Sequence, residues 1–397
     1  MLMDQNNRKV LFIHEGAITP TVKRLYLIDD LLSYGFAVEL WSLRFLRTLW
    51  NELPDEIDTD SYRKVASFAD LKTMLAENNV NTTIILTSVA DNFLNRHIYG
   101  FLHKNHFLYV FLNPYGNKMG KDKLSIKDKL KLIFSSNVVK KIIPELKKVY
   151  HNKVFKPLHH IDFENHVLSS MKPRAEAINS NDYEAYLSLK HDSDRIISDK
   201  YILFIDTYFP LHPDLPYFYS FNVKDVDKNK YLASMNYFFD WLEQRYRMPV
   251  VIGLHPKSNY TDEDFGGRAT YKYKTNSLVK NADIVLTHGS ASTSLTVVYN
   301  KPALFIYPQY MLELTPKFVQ KLKWFAESLG KKAINIDNFD ESSIEVSEYG
   351  EVYRDNYIYT FMTTKENEQR SNKEIICSLF DTLFQKLENG EDTPFKS

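Results

Sequence analysis

The chain has 397 residues, a single cysteine (Cys377) and a formal net charge of zero, with 44% hydrophobic and 14% aromatic residues. That length suits two domains with substantial cores, the balanced charge argues against a nucleic-acid binder, and one thiol excludes an intramolecular disulfide. No apolar stretch approaches the roughly 20 residues needed to span a bilayer, and the opening MLMDQNNRKVLFIHEG shows no small-residue cleavage pattern, so a cytoplasmic protein is expected.

KVLFIHEG reads as a strand, and TVKRLYLIDDLLSYG as a helix with Leu25, Ile28, Leu31 and Leu32 at helical spacing and Gly35 as its stop. FAVELWSL is a second strand, followed by a helix in FADLKTMLAENN, a strand in TTIILTS, a helix in NRHIYGFLHKNH and a strand in LYVFLNP. This alternation predicts a parallel, doubly wound sheet. From about Met171 to Lys200 the chain turns polar, which reads as the crossing between two domains. The pattern then restarts with the strand YILFID, the helix KYLASMNYFFDWLEQRY, the strand PVVIGLHP, the helix TNSLVKNA, the strand DIVLTHG, the helix TSLTVVYN and the strand PALFIYP. A last helix, about Glu366 to Leu387, carries Ile375, Ile376, Leu379, Phe380, Leu383 and Phe384 on one face and is expected to cover the first domain.

Ligands of doubly wound sheets bind outside the carboxyl ends of the strands, so the residues just after strands are the candidates. YILFID ends in Asp206, with His212 and Asp214 close behind in TYFPLHPD; a base, a ribose partner and a turn-former all fit Asp206. VVIGL ends in His255-Pro256. The proline fixes the turn, and the imidazole could donate to a phosphate or stay satisfied by backbone. DIVLT ends in His288, and Gly289 to Ser294 runs into the next helix. That loop is either an ordinary cap cluster or an anion seat built from N–H groups and small hydroxyls. Arg268, in the GGR stretch, offers a guanidinium. No GxGxxG or GxxxxGK[ST] pattern is present, which disfavours dehydrogenases and P-loop NTPases.

The order His255-Pro256, Thr275-Asn276-Ser277-Leu278, Ser292-Thr293-Ser294 and Lys301-Pro302 resembles the donor half of GT-B glycosyltransferases, more narrowly bacterial surface-polysaccharide enzymes of the sialyltransferase and Kdo-transferase types. The motifs cover roughly residues 200 to 310; CDP-polyol phosphotransferases of wall teichoic acid synthesis share a related pattern. The resemblance implies an α/β GT-B fold: two Rossmann-like domains facing a cleft, with the C-terminal helix packing back on the first. It implies an acceptor-side domain over residues 1–185, a nucleotide-sugar domain over 186–365, and a return helix and tail over 366–397. His255 would act in catalysis by steadying the departing phosphate. Asp206, Pro256, Arg268, His288, Gly289, Ser292, Thr293 and Ser294 would bind the donor.

One departure concerns the base. Those families usually carry an acidic-acidic-glycine motif in the first domain, whereas the comparable position here is LNPYGN, without an acid. Glu15, followed by Gly16, is the expected base, although a helix-entry turn fits it as well. The expectation is therefore an inverting, metal-independent transfer of a sugar from a nucleotide donor, without a cofactor, to a glycan or lipid-linked glycan. A CMP-activated sialic-acid or Kdo-type donor is favoured. A polyol phosphotransferase, a nucleotide-sugar epimerase and a non-catalytic glycan-binding module are the alternatives. HHIDFENH lacks a zinc spacing such as HExxH, so no metal is expected there. Lys118 to Lys156 holds 12 lysines against three acids, a local excess of +9. It suits either a solvated helical face or contact with an anionic membrane at the inner face.

Overall fold

The computed structural model describes residues 8–46, 60–89, 95–113, 161–165, 175–213, 215–219, 221 and 223–390. Among these, one compact unit gathers the residues up to Asn179 and those from Glu366 onward, and a second runs from Ser180 to Lys365.

The first unit holds strands β1 (Lys9–His14), β2 (Ala37–Ser42), β3 (Tyr62–Lys64), β4 (Thr83–Thr87), β5 (Leu108–Asn113), β6 (Ile161–Asn165) and β7 (Ala175–Ile178). They form one parallel sheet in the order β3-β2-β1-β4-β5-β6-β7. The direction of winding reverses between β1 and β4. Alternation along β1 sends Val10 and Phe12 to one core and Leu11 and Ile13 to the other.

The second unit holds β8 (Ile202–Ile205), β9 (Val250–Leu254), β10 (Thr270–Lys272), β11 (Ile284–Thr287), β12 (Ala303–Tyr307) and β13 (Ala333–Asn335). These are again all parallel, in the order β10-β9-β8-β11-β12-β13. This is the doubly wound dinucleotide-fold order, with its switch between β8 and β11. Both are central strands buried on two faces, which is why their sequences read as unbroken apolar runs.

One expectation is corrected. The single helix read over TVKRLYLIDDLLSYG is two, Pro20–Leu25 and Ile28–Tyr34, interrupted at Leu27 with φ 55°. The break lets Tyr26 pack on Phe12, ring centroids 4.9 Å apart, while Ile28 and Leu31 stay in the same core. The polar stretch read as a crossing does hold the boundary between the units, at Asn179–Ser180, flanked by β7 and by a helix, Asn181–Leu189, capped by Ser180. β7 pairs on one side only, and that helix buries only Tyr183, so neither demands an apolar sequence. The stretch Lys118–Lys156, His159, His160, His166 and residues 114–117 of LNPYGN lie outside the described residues.

The last helix, Asn372–Glu388, starts in a capping box formed by Ser371 and Glu374. As expected, it packs onto the first unit. Ile376, Phe380, Leu383 and Phe384 are buried with Val10 and Phe12, and Phe36 lies 6.2 Å from Phe380 and 5.4 Å from Phe384. Arg8 pairs with Asp381 and, at 2.7 Å, with Glu388. Phe380→Ala is expected to destabilise the protein by about 3–5 kcal/mol in denaturant unfolding. Tyr237→Ala, at a position 72% exposed, should cost less than about 0.5 kcal/mol. Equal losses would contradict a core role for the return helix.

Candidate functional site

At the switch point of the second sheet, the strand-end residues surround a pocket of about 460 Å³. Register brings its walls together. Ile205 on β8 lies opposite Gly253 on β9 and Thr287 on β11, so the three strands end at one level. The residues after them, Asp206-Thr207, His255-Pro256 and Gly289 to Ser292, line the pocket.

Asp206 ties two of these ends. Its Oδ1 accepts the Tyr208 N–H at 2.7 Å and its Oδ2 accepts the His255 N–H at 3.2 Å, while its own N–H reaches the Gly253 carbonyl at 3.0 Å. The carboxyl is 2% exposed. Burial raises its pKa to about 6, against the opposing pull of hydrogen bonds from Tyr208, His255, Ser258 and Thr207. His255 Nδ1 accepts the Lys257 N–H at 3.1 Å, so the neutral ring carries its proton on Nε2 and acts there as a donor. A second imidazole, His212, meets it edge to face, ring centroids 4.8 Å apart. Both histidines line the pocket.

The third wall is the loop quoted above as a cap cluster or an anion seat. Gly289 adopts φ 77°, a backbone region that favours glycine. Its N–H donates to Thr287 Oγ1, which also contacts Thr293 Oγ1 at 2.7 Å. Ser294 is buried, and its Oγ lies within hydrogen-bond reach of both Asp182 and the Ala291 carbonyl, which share its one proton. Gly289, Ser290, Ala291 and Ser292 therefore face the pocket, while Thr293 and Ser294 pin the loop from behind. The helix that follows, Thr293–Val298, has only six residues, which leaves little room for a macrodipole. The loop's own polar groups carry whatever affinity for anions this wall has.

Three other candidates sit elsewhere. His288 is wholly buried: Nδ1 donates to the Ile306 carbonyl at 2.7 Å and Nε2 accepts from the Tyr231 hydroxyl at 2.9 Å. Burial lowers its pKa to about 4, so it is a neutral core histidine that braces the sheet from below. The Arg268 guanidinium is held by Asp240 at 2.6 Å and Glu243 at 2.7 Å against the helix Lys228–Tyr246, and does not line the pocket. Glu15 follows β1 and belongs to the first unit. Asp214 lies outside the described residues.

Sequence reading missed Thr207 and singled out Ser290 only as a member of the Gly289 to Ser294 loop. Thr207 Oγ1 and Ser290 Oγ are shut off from solvent without a hydrogen-bond partner, and both residues line the pocket. Leaving a buried hydroxyl unsatisfied costs about 1–3 kcal/mol. Their only sequence signal was position, immediately after Asp206 and Gly289. The described lining contains neither Lys nor Arg. Imidazole and hydroxyl donors are what the walls offer an anion, with aromatic surface from Tyr219 and Phe318, whose rings meet at 5.4 Å. Among the described residues no group of three His, Cys, Asp or Glu is placed to hold a metal, and no helix is long and apolar enough to cross a membrane.

No protein-family model matches the sequence, and no curated protein matches it. Solved structures do resemble it in shape. Two structures of the wall teichoic acid polymerase TagF, each with one histidine substituted, are 11% and 13% identical and cover 97% and 98% of this chain and 92% and 91% of theirs, both at a TM-score of 0.50. The UDP-GlcNAc 2-epimerase of Methanocaldococcus jannaschii is 11% identical over 94% of this chain and 99% of its own, at a TM-score of 0.43. The fold is GT-B. At these identities the likeness is one of fold alone.

Linkage gives the buried pair opposite signs. Between its ordinary value of 3.8 and about 6, folded Asp206 keeps a proton that the unfolded chain releases, so its contribution to stability falls as pH rises. Between about 4 and 6.5, folded His288 lacks a proton that the unfolded chain keeps, so its contribution rises with pH. Asp206→Asn removes the falling leg. Unfolding free energy from pH 4 to 6 should then climb more steeply than in the wild type; parallel curves would refute a raised carboxyl.

Proposed function

We propose that this protein is an inverting glycosyltransferase that binds a nucleotide sugar in the second unit's pocket and passes the sugar to a bacterial surface glycan. The observation that carries this reading is the pair of orphaned hydroxyls, Thr207 Oγ1 and Ser290 Oγ, on the same pocket as the His255 imidazole. Turned toward the pocket, the two hydroxyls would join His255 as donors to phosphate oxygens, and the shortage of cationic side chains in the lining is made up by hydrogen bonds in a partly desolvated site.

In the transfer, the proton of an acceptor hydroxyl passes to a general base, for which Glu15 is the candidate, as the hydroxyl oxygen bonds the anomeric carbon. The bond from that carbon to phosphate breaks, and its electron pair leaves on the phosphate. His255 Nε2–H and the hydroxyls of Thr207, Ser290 and Ser292 donate to that growing charge, a contribution worth several kcal/mol in such sites. Asp206 and Pro256 hold His255 in place. A CMP-activated sialic-acid or Kdo-type sugar is the favoured donor. The acceptor is a glycan or lipid-linked glycan on the cytoplasmic side, with Lys118–Lys156 the segment charged to meet an anionic membrane.

A second reading, transfer of a polyol phosphate from a CDP-polyol, is favoured by His212. Attack at phosphorus uses an acid and a base within reach of one centre, and two imidazoles with centroids 4.8 Å apart supply both. TagF, a wall teichoic acid polymerase by name, has this fold.

The test is thermal unfolding with CMP, CDP, UDP, GDP and their sugars or polyols, on the wild type and on Thr207→Val/Ser290→Ala. A ligand at 100 times its Kd stabilises by about 2.7 kcal/mol. One base should raise the melting temperature, and the double variant should lose that rise. His255→Ala should cut turnover about 10²–10³-fold. Product analysis of the stabilising donor separates sugar transfer from polyol-phosphate transfer and from epimerisation. No shift with any nucleotide would leave a glycan-binding module as the better reading.

Metal independence is part of the proposal: turnover should persist in excess EDTA. Loss restored by Mg²⁺ or Mn²⁺ would overturn that part alone.

A further inference from the structure

The second unit's pocket has two unlike flanks. Its middle is the row of strand ends on β9, β8 and β11, where His255, Thr207, Ser290 and Ser292 stand. Toward β10 the lining is Leu254, Pro256 and Thr275, the residue that opens the helix Thr275–Asn281. On the opposite side, toward β12, it is Leu215, Tyr219 and Phe318. Phe318 belongs to the helix Pro316–Ser328, which packs on β12 and β13, and Tyr219 reaches that side by meeting its ring.

That second flank is a corner. The Tyr219 and Phe318 rings have centroids 5.4 Å apart and planes at 84°. Both side chains are half-buried against the core of the unit, so packing keeps the corner in shape. Two parallel walls would make a slot for a flat base. Two perpendicular ones suit a body with thickness in every direction. Of the three side chains only Tyr219 carries a polar atom, so the flank has little to offer a chain with a hydroxyl on every carbon.

The geometry points to the corner of Leu215, Tyr219 and Phe318 as the seat of the transferred group, and to a ring sugar rather than an open-chain polyol as its occupant. The inference rests on the nucleotide-donor reading and chooses between its two forms. A donor joins its nucleoside to the transferred group through phosphate, so with phosphate in the middle the two take opposite flanks. The β10 flank, with the Thr275 hydroxyl, is left to the nucleoside. A pyranose turns a face of polarised C–H bonds outward, and the negative face of an aromatic ring attracts it. Its closed ring is also ordered before it binds, which cuts the cost of binding. An open-chain polyol has rotors to freeze and hydroxyls that lose water against apolar side chains without gaining partners.

The test is calorimetric titration of the full chain, wild type and Phe318→Leu, which keeps apolar bulk and removes the ring. The probes are CMP, CDP, UDP and GDP, each against a sugar-charged form (CMP-sialic acid, CDP-glucose, UDP-GlcNAc, GDP-mannose), and CDP-glycerol. Phe318→Leu should weaken the sugar-charged donor that binds about 3–10-fold and leave its free nucleotide unchanged. Equal losses for the free and the charged nucleotide would put the base on the ring and overturn the inference. Undiminished binding of the charged form overturns it as well. So does CDP-glycerol binding more tightly than CDP and losing that gain in Phe318→Leu, which would make the occupant a polyol. A second measurement needs no variant. In saturation-transfer difference spectra of the wild type, irradiated aromatic protons should pass saturation to the sugar-ring protons of the bound donor, and silent sugar-ring protons overturn the inference. If no nucleotide, free or charged, binds the wild type, the nucleotide-donor reading itself fails and the inference falls with it, whereas a wrong inference shows with nucleotide binding intact.

Discussion

The carboxylate of Asp206 is the constraint on which the second unit's pocket depends. Buried at the end of β8, it must find hydrogen-bond donors, and these include the N–H groups of Tyr208 on its own loop and His255 at the end of β9. Satisfying one buried charge therefore fixes two strand-end loops against each other. Tyr208 is held at φ 55° and His255 with its Nδ1 turned to the Lys257 N–H, so the nitrogen left to donate from a neutral ring is Nε2. An aspartate that looks like a ligand group in the sequence acts first as the brace that aims the imidazole.

The third wall obeys the same logic with hydroxyls in place of a charge. Thr287 and Thr293 close one side of the loop, Ser294 closes the other through Asp182, and Gly289 supplies the turn. The hydrogen-bonding capacity of the row Gly289 to Ser294 is largely spent inside the protein. What is left over, Ser290 Oγ together with Thr207 Oγ1, belongs to residues that line the pocket. Unspent polar capacity is a sharper pointer than composition, since most buried polar atoms are satisfied.

The two units share a layout and differ in how they furnish it. Each reverses its winding beside its first strand, and each places a histidine at a strand end near the reversal, His14 in one and His255 in the other. The second unit sets its histidine on the wall of a pocket that Thr207, Ser290 and Ser292 also line. The first packs its histidine against Phe12 and Tyr26 and binds one nitrogen to Ser88.

Much of the fold was legible because parallel strands buried on both faces must be apolar throughout. β1, β8, β9, β11 and β12 stood out as short unbroken runs, and the return helix as a broad apolar face. The short or one-sided strands β3, β7, β10 and β13 bury too little to leave a pattern, and the break at Leu27 answers to the packing of Tyr26. Strand-end positions of Asp206, His255 and Gly289 could likewise be read in the sequence, because a residue after a strand must lie at the sheet's carboxyl edge. Whether such a residue faces ligand or core could not. His288 and Ser294 satisfy the same spacing, yet Ile306, Tyr231 and Asp182 claim them, and Asp240 and Glu243 claim Arg268. The sequence by itself determined which residues reach the edge of each sheet; tertiary structure decided which of them are spent there, because a polar group's partner is set by neighbours far away in the chain.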